Sequence, residues 1–387
     1  MDLARIQEAL RREKLDAWLF FDHHQRDPLA YRVLGFQPIR HVTRRWYYVI
    51  PAHGEPRGLV HRIESGMLDD APGEKLQYSS WREQHAGLAQ LLKGSKRVAM
   101  QYSPECAVPY VAMVDAGTVE LVRGMGVEVV TSAELIQEFE ACLSKAQFAS
   151  HIEAGKRVDR ICAGAFRFIG DNLSSGVSEL MVRDWVRDQF KAAGMTADDG
   201  PIVGANGNAG NPHYEPRPET NRQIHPGDFV LLDMWAKLNE PDAVYYDITW
   251  TGFCGDPPDR IREVFEIVRD ARDRAVEAVV NAKAANRGIC GFEVDDAARN
   301  YIASRGFGDK FVHRTGHSIG TEVHGSGANM DNLETHDERR ILPGALFSVE
   351  PGIYLEEFGV RSEVNVFVKR DSAGTTGAVQ RDLVRIG

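Results

Sequence analysis

The chain has few cysteines, no long apolar run and no excess of positive charge. Its 387 residues include 5 Cys, none with CxxC spacing, which argues against a disulfide framework or a cysteine-type zinc site. No stretch of about 18 uncharged apolar residues occurs, so we expect no membrane-spanning segment. The charged start of the chain also lacks the apolar core of a signal peptide. These features predict a cytoplasmic protein.

The balance of charge is acidic. The 46 Lys and Arg against 56 Asp and Glu give a net charge of −10, whereas a nucleic-acid site requires a basic surface. We therefore expect no nucleic-acid partner. Hydrophobic residues make up 43% and charged residues 26% of the chain, as in ordinary globular proteins. The length suggests two or three domains.

The first part of the chain alternates helix-like and strand-like segments. A helix is predicted over 3–15, and strands are predicted at 17–21, 45–50, 96–100 and 127–130. This alternation is typical of an α/β domain. A long helical stretch over 147–172 follows, and we place a domain boundary just before it. The predicted domains are residues 1–143 and 144–387.

The second part is expected to combine further helices with strands. Ser178 is a suitable N-cap for a helix that ends before Gly194. The Gly- and Asn-rich segment 201–211 is expected to be a loop. Additional helices are predicted over 256–285 and 292–305, and strands at 229–236, 244–251, 345–350 and 360–369.

Two segments of this second domain resemble each other. Each begins with Pro-Gly and continues as an apolar strand with an acid seven residues after the proline. A second strand follows, with another acid 14 residues later in the first segment and 13 in the second. The acids are Asp233 and Asp247, then Glu350 and Glu363. The spacing suits two antiparallel strands and a loop, and the matched acids indicate an internal duplication.

Acids within apolar strands are costly to bury as ions unless they have partners. A loop or an arginine is one solution, and a metal ion is the other. Between the two acid pairs lies His317, flanked by Gly316 and Gly320, which permit close approach of the backbone. Four carboxylates and a neutral imidazole carry −4, which two divalent ions balance. This oxygen-rich set suits Mn²⁺, Co²⁺, Fe²⁺ or Zn²⁺, and two such ions activate a shared water for hydrolysis.

The residues around these acids resemble the ligand motifs of the pita-bread metallopeptidases, which include prolidase, aminopeptidase P and methionine aminopeptidase. The motifs occur in the family's order, as Leu232-Asp233, Asp247-Ile248-Thr249, Gly316-His317-Ser318-Ile319-Gly320, Val349-Glu350-Pro351-Gly352-Ile353-Tyr354 and Val360-Arg361-Ser362-Glu363. The N-terminal region is similar to the creatinase-type α/β domain of prolidase and aminopeptidase P, which methionine aminopeptidase lacks. The resemblance implies an α/β N-terminal creatinase-like domain and an α+β pita-bread catalytic domain with pseudo-two-fold duplicated hairpins.

The resemblance also implies roles for individual side chains. The implied metal ligands are Asp233, Asp247, His317, Glu350 and Glu363. Glu350 is also implied to accept a proton from a water that bridges the ions. His213 matches a catalytic histidine on the substrate side, and His324 matches the histidine that contacts the scissile carbonyl or the tetrahedral intermediate. His313 matches a histidine of the substrate pocket or of the shell around the ligands.

Strand geometry points to Arg361 as well. It lies two residues before Glu363 and therefore on the same face of the predicted strand. There its guanidinium can bind a substrate carboxylate through two parallel hydrogen bonds. The alternative is that Arg361 only neutralises the neighbouring acids. Capture of a carboxylate would favour dipeptides over longer peptides.

Three features depart from the family pattern. The spacing from Asp233 to Asp247 is three residues longer than usual, which predicts an extended loop at Lys237–Val244. Trp250 stands where the family often has arginine, and Gly325 stands where an acid often follows the histidine. The last two changes are expected to remove charged groups near the site.

The expected function is hydrolysis of the Xaa-Pro bond of dipeptides by a hydroxide that bridges two divalent ions. Mn²⁺ is the expected metal, with Co²⁺, Zn²⁺ and Fe²⁺ as alternatives. The main alternative activity is that of aminopeptidase P, which releases the first residue of longer Xaa-Pro peptides. A non-peptide amide hydrolase and a metal-free binding module on the same fold are further alternatives. By resemblance, we expect a homodimer formed through the N-terminal domain.

Overall fold

The computed structural model describes residues 1–36 and 41–387. It divides into two compact units, Met1–Glu140 and Ala141–Gly387. The boundary placed from the sequence, at 143/144, lies three residues beyond this division. Within the described ranges, no helix combines the length and the apolar character that crossing a membrane requires.

The first unit is built on a mostly parallel sheet. Its helices are α1 Leu3–Arg12, α2 Pro28–Leu34, α3 Trp81–Leu92, α4 Ala116–Arg123 and α5 Ala133–Ile136. Its strands are β1 Ala17–Asp22, β2 Trp46–Pro51, β3 Arg57–His61, β4 Glu74–Tyr78, β5 Arg97–Met100 and β6 Glu128–Thr131. The order is β4-β3-β2-β1-β5-β6, with β2 antiparallel to both neighbours and the other strands parallel to one another.

Strand β1 is apolar up to its last residue, Asp22, because helices cover both faces of this sheet. Trp18 and Phe20 pack in a core shared with α1 and α2. Leu19 and Phe21 pack in a second core shared with α3 and α4. The α/β character and the strands predicted for this region are confirmed, while β3 and β4 were not predicted.

The second unit contains longer helices and two hairpins. Its helices are α6 Lys145–Asn172, α7 Glu179–Ala192, α8 Asp259–Ala284 and α9 Gly291–Ser304. Its short strands before the first hairpin are β7 Val177–Ser178, β8 Met195–Thr196, β9 Ile202–Ala205 and β10 Gln223–Ile224. The remaining strands are β11 Phe229–Leu238, β12 Tyr246–Cys254, β13 Leu346–Val349, β14 Gly352–Tyr354, β15 Gly359–Arg361, β16 Val364–Val368, β17 Ala373–Thr376 and β18 Val384–Ile386.

The helices sandwich the two hairpins. Helices α6 and α7 share a core with one side of the hairpin β11–β12. Helices α8 and α9 share another core with the second hairpin and with the other side of β11. Ser178 caps α7 as predicted, because its hydroxyl accepts from the Met181 N–H at 3.3 Å.

The segment 201–211 is not the loop that its composition suggested. Residues Ile202–Ala205 form β9, which pairs antiparallel with β11 and places Ile202 opposite Asp233. A 3₁₀ turn over Asn206–Gly210 follows. Gly204 is required here by close packing, since a Cβ atom would lie 2.9 Å from the Ala209 nitrogen. The glycine therefore marks a close contact within a strand rather than a loop.

Candidate metal centre

The first two acids lie on one face of the hairpin formed by β11 and β12. In the antiparallel register Asp233 is opposite Thr249, and Trp235 is opposite Asp247. Side chains of opposed residues share a face, so Asp233 and Asp247 are diagonal neighbours. Both are buried, with 8% and 4% of their surface exposed. Strand alternation thus brings together two acids that are distant in the sequence.

The second two acids lie where the second hairpin is interrupted. The ladder between β13 and β16 ends on one side of them, and the ladder between β14 and β15 lies on the other. Glu350 and Glu363 occupy the gap, next to Pro351, which has no N–H to continue the pairing. The strand predicted at 345–350 is confirmed as β13, which ends just before Glu350, whereas the continuous strand predicted at 360–369 is divided into β15 and β16, with Glu363 in the gap.

Thr249 and Asn365 join the two hairpins. The Thr249 hydroxyl donates to Glu363 Oε2 at 2.9 Å, and its carbonyl accepts from the Glu363 N–H at 3.1 Å. The side-chain oxygen of Asn365 accepts from the Asp247 N–H at 3.2 Å, and its amide donates to the Asp247 carbonyl at 2.7 Å. These contacts fix Asp247 and Glu363 relative to each other.

His317 reaches the acids from the segment that follows α9. The preceding residue must be glycine, since a Cβ atom on Gly316 would lie 1.9 Å from the Ser348 carbonyl oxygen. The His317 N–H donates to Ser348 Oγ at 2.9 Å. Its Nε2 lies 3.6 Å from Asp247 Oδ2 and 3.4 Å from Glu350 Oε1.

Three of the five predicted ligands form a compact group. Single donor atoms of Asp247, His317 and Glu363 all lie within 4.8 Å of one another, and all three side chains are buried. Glu350 lies directly beside this group. Glu363 Oε1 is buried and has no hydrogen-bond partner among the described residues, which is costly unless a ligand completes it. The carboxylate oxygens and the imidazole fit divalent metal ions.

Burial and mutual repulsion control the ionisation of these groups. Burial and the nearby Asp233 carboxylate raise the pKa of Asp247 well above its usual range. Burial and Asp247 do the same to the pKa of Glu363. Burial also raises the pKa of Glu350, and it lowers the pKa of His317, which favours the neutral, metal-binding imidazole. Bound cations would relieve the crowding of the carboxylates.

Arg361 supplies positive charge inside the cluster. Its guanidinium donates to the Asp233 carboxylate, to Thr249 Oγ1 at 3.0 Å and to the Tyr354 hydroxyl at 3.0 Å. The Tyr354 hydroxyl also lies 2.7 Å from His313 Nε2. Burial, with the charge of Arg361, lowers the pKa of His313 to about 3. This geometry favours the alternative in which Arg361 neutralises the acids, and the substrate-binding roles of Arg361 and His313 stay predictions.

Two predicted histidines lie on the open side of the cluster. His324 is exposed, and its ring centre is 4.4 Å from that of His317 in an edge-to-face arrangement. Desolvation and the charges of His317, Arg314 and His213 lower the pKa of His324. His213 is also exposed. The structure thus brings His324 next to the candidate ligands, with His213 in its surroundings, while their catalytic roles stay predictions.

Several supporting side chains were not found by the sequence reasoning. Ser348 and Asn365 are fully buried polar residues within otherwise apolar strands, and that unusual placement is the signal that could have found them. Arg314 lies close to the three histidines of the site, because its charge lowers the pKa of His313, His317 and His324 alike. Arg314 stands directly before Thr315-Gly316-His317 in the sequence. A basic residue so close to a predicted metal ligand is the signal that could have found it.

Trp250 does not face the acids. Strand alternation places its side chain on the opposite face from Thr249, where it packs in the core shared with α6 and α7. The expectation that this departure removes a charge near the site is therefore wrong. At Gly325, a Cβ atom would lie 2.9 Å from Ser318 Oγ, so an acid there requires Ser318 to move. Gly320 has open space around its Cβ position, unlike the close approach expected of it.

The extra residues between Asp233 and Asp247 form more strand than predicted. β11 continues to Leu238, so the connection is confined to residues 239–245. The Tyr245 N–H donates to the Gly320 carbonyl at 3.0 Å. Lys237 Nζ donates to the Thr321 carbonyl at 2.5 Å. The insertion therefore supports the segment just after His317.

A family comparison agrees with the order of these motifs. The profile described as metallopeptidase family M24 matches residues 153–370, which is more than half of the chain. The chain belongs to metallopeptidase family M24. All five predicted metal ligands fall within the matched range. M24 membership makes the chain a metallopeptidase and confirms the resemblance inferred from its motifs.

Individual M24 relatives are similar over part or all of the chain. An uncharacterized peptidase, YqhT of Bacillus subtilis, is 30% identical over 259 residues, which are 66% of this chain and 68% of the relative. The Xaa-Pro dipeptidase of Lactobacillus helveticus is 33% identical over 222 residues, 57% of this chain and 56% of the relative.

A solved structure extends the similarity to both units. Dipeptidase PepE from Mycobacterium ulcerans superimposes with a TM-score of 0.74 at 24% identity, covering 99% of this chain and 96% of the other. This likeness establishes the fold over the whole chain. The predicted fold class, an α/β N-terminal unit followed by an M24 catalytic unit, is confirmed.

Proposed function

We propose that this M24 protein is a dinuclear dipeptidase that cleaves Xaa-Pro bonds. The observation that carries the proposal is the compact buried group of Asp247, His317 and Glu363, with Asp233 and Glu350 beside it. The Lactobacillus helveticus relative bears the name of an Xaa-Pro dipeptidase, which supports the substrate class.

Charge balance supports two divalent ions. Four carboxylates and the buried Arg361 sum to −3, whereas the neutral His317 adds nothing. Two divalent ions bring this sum to +1, and one hydroxide brings it to zero. When bound, such ions supply Lewis acidity and a water that ionises near neutral pH. Mn²⁺ is the proposed metal, because hard oxygen ligands dominate the set.

The chain's own residues bind the substrate and move the proton. Glu350 keeps 15% of its side chain exposed, against 6% for Asp247, so a substrate can reach it. Its Oε1 accepts from Ser348 at 3.2 Å, and its Oε2, which lies 3.8 Å from Arg361 Nε, is proposed to accept a proton and pass it to the leaving amine. His324 and His213 lie on the open side, where they can donate to the scissile carbonyl.

Capture of a substrate carboxylate distinguishes a dipeptidase from aminopeptidase P. Arg314 is half-buried beside the same histidines, and we propose it together with Arg361 as a candidate for this role. Comparing Ala-Pro with its C-terminal amide tests both arginines. Loss of capture in Arg314→Gln should raise KM for Ala-Pro and leave KM for the amide unchanged. If instead Arg361→Gln raises KM for Ala-Pro and leaves KM for the amide unchanged, Arg361 binds the substrate carboxylate, as the sequence predicts.

Activity is tested with metal-stripped protein to which Mn²⁺, Co²⁺ or Zn²⁺ is added. Met-Pro is compared with an Xaa-Pro-Pro tripeptide, and metal-dependent cleavage of the dipeptide is the expected result. Asp247→Asn should abolish cleavage, whereas Asp242→Asn, at an exposed position of the connection between β11 and β12, should not. Faster cleavage of the tripeptide would indicate aminopeptidase P activity. If neither peptide is cleaved although two ions are bound, the substrate would be a non-peptide amide.

The homodimer and the cytoplasmic location are proposals of the same kind. Both come from the resemblance and the composition. Sedimentation of the full chain tests the first, since a monomer at micromolar concentration would contradict it. Fractionation of the source cells tests the second.

A further inference from the structure

The first unit contains a pocket at the carboxyl edge of its parallel strands. The cavity has a volume of about 840 Å³. Its lining includes His23 just after β1, His61 at the end of β3 and Tyr78 at the end of β4. In open α/β sheets, ligands bind outside the carboxyl ends of the strands. We call this cavity the N-terminal pocket.

Two helices begin at the N-terminal pocket. Trp81 is the first residue of α3, and Gly117 and Thr118 lie in the first turn of α4, and all three line the cavity. The N-terminal end of a helix carries partial positive charge and free N–H groups, which favour anions. Two such ends meet at the same cavity, and in each one N–H is already capped, that of Glu83 by Ser80 Oγ and that of Thr118 by Asp115.

The charged side chains of the N-terminal pocket are mostly basic. Arg26, Arg44 and Arg45 line it together with four histidines. Asp115 is the one carboxylate among the lining residues that the structure describes. Its carboxylate is used to cap α4, accepting from the Thr118 N–H at 2.9 Å and from the Thr118 hydroxyl at 2.8 Å. Among the lining residues themselves, the three arginines outnumber the single carboxylate, which favours an anion over a cation. Just outside the lining, Glu64 accepts from the Thr43 and Arg44 N–H groups and Glu83 accepts from the Ser79 N–H.

The pKa of His23, which lines the pocket, is also affected by nearby positive charge. Desolvation and the charges of His24, Arg26 and Arg45 lower the pKa of His23. A metal ion is a poor explanation for the histidines. Over residues 1–36 and 41–387, the group of three or more possible ligands close enough to share one ion lies in the second unit, and this pocket has no such group.

One wall of the pocket is an exposed aromatic ring. Trp81 is 59% exposed, although its ring contacts the guanidinium of Arg82 at 4.6 Å and the ring of His85 at 5.5 Å. An exposed indole next to cationic groups is suited to stacking on a flat ring. The anion-binding groups and this ring lie in the same cavity.

We propose that the N-terminal pocket binds a small organic phosphate that carries a flat ring, the chemistry of a nucleoside monophosphate. The phosphate is held by Arg26, Arg44 and the first turns of α3 and α4. The ring lies against Trp81. Charge-assisted hydrogen bonds from arginine to phosphate supply most of the affinity.

Calorimetric titration of the full chain tests this site without any peptide hydrolysis, so its outcome is independent of the proposed peptidase activity. AMP is compared with ribose 5-phosphate, adenosine and inorganic phosphate. We expect one AMP per chain, bound more tightly than each of the other three probes. Absence of AMP binding at millimolar concentration would overturn the proposal. Equal affinity for AMP and ribose 5-phosphate would overturn the role of Trp81.

Variants with matched controls locate the binding site. Arg26→Gln and Arg44→Gln should each weaken AMP binding about tenfold, whereas Arg123→Gln, at the far end of α4 and outside the pocket lining, should not. Asp115→Asn keeps the helix cap and removes the repelling charge, so it should strengthen binding. Circular dichroism checks the folding of each variant. Unchanged AMP affinity in both pocket variants and in Asp115→Asn would overturn the site.

Discussion

Ser348 is a single residue on which two candidate metal ligands depend. Its hydroxyl accepts from the His317 N–H at 2.9 Å and donates to Glu350 Oε1 at 3.2 Å. Ser348→Ala removes both contacts, so we expect Mn²⁺ affinity and kcat/KM to fall about 10- to 100-fold, because groups that orient ligands contribute this much. Calorimetric Mn²⁺ titration and dipeptide hydrolysis measure the two effects.

Ser132→Ala is the matched control for this change. Ser132 is also fully buried, and its hydroxyl has no hydrogen-bond partner in the part of the chain that the structure describes. Its loss should leave Mn²⁺ affinity unchanged. An equal fall in both variants, or no fall in Ser348→Ala, would contradict the orienting role.

The sequence is informative about some residues of the site and silent about others. The four acids could be predicted because a carboxylate is conspicuous in an apolar strand and the spacing repeats. The ion pair between Arg361 and Asp233 could not be predicted, because Asp233 belongs to the other hairpin and lies 128 residues away in the sequence. The position of Trp250 relative to the acids was also misjudged, although alternation along β12 determines it.

At the scale of elements, α9 positions the segment that carries His317. Asp295 on α9 is fully buried and accepts from the Thr315 N–H at 2.9 Å and from its hydroxyl at 2.7 Å. It also pairs at 2.6 Å with Arg299, which donates to the His313 carbonyl at 2.7 Å. Asp295→Asn breaks this pair, and we expect a loss of about 3 kcal/mol in the free energy of unfolding, typical of a broken buried ion pair. Urea denaturation measures it.

The same substitution should also weaken Mn²⁺ binding, because the His317 segment loses its support. Asp309→Asn serves as the control, since Asp309 and Lys310 form an exposed pair with 73% and 45% of their side chains accessible. Its expected cost in the free energy of unfolding is small, because exposed ion pairs contribute little. If Asp295→Asn proves as mild as this control, α9 does not hold the segment.

The elements themselves differ in how well the sequence predicts them. Helices α6 to α9 and the hairpin β11–β12 follow from apolar periodicity and caps. The composition of β9 predicts a loop, because its glycine and the following Asn-Gly residues resemble a turn, while the pairing partner that makes it a strand lies in β11. The division of the second hairpin follows from Pro351, and its importance emerges only when the two acids are seen in the gap.

At the scale of the whole molecule, we expect His151 to make stability depend on pH. It is fully buried on α6, with Nδ1 2.7 Å from the Tyr245 carbonyl and Nε2 2.7 Å from Thr376 Oγ1. Burial lowers its pKa from 6.5 to about 4. The neutral form is therefore favoured in the folded state, and its contribution is complete above pH 6.5 and lost as the pH falls toward 4.

We expect this loss to reach about 3 kcal/mol between pH 6.5 and 4. Urea denaturation at several pH values measures it, and His151→Gln should reduce the dependence in that range, while His313, His317 and His324, whose pKa values are also lowered, keep part of it. His225→Gln should retain the full slope, because His225 is exposed. A slope in His151→Gln equal to that of the unaltered chain would assign the pH dependence to other groups.

Metal binding should stabilise the two compact units differently. The candidate ligands all belong to Ala141–Gly387 and none to Met1–Glu140. A ligand that binds only the folded state at 100 times its Kd adds about 2.7 kcal/mol, which for a unit of this size raises Tm by about 5–10 °C. Calorimetry of chelator-treated and Mn²⁺-loaded protein measures the shift. Hydrogen exchange assigns it to one unit, because peptides from residues 141–387 should gain protection. Asp247→Asn should lose both effects, and equal protection of both units would show that the ions act elsewhere as well.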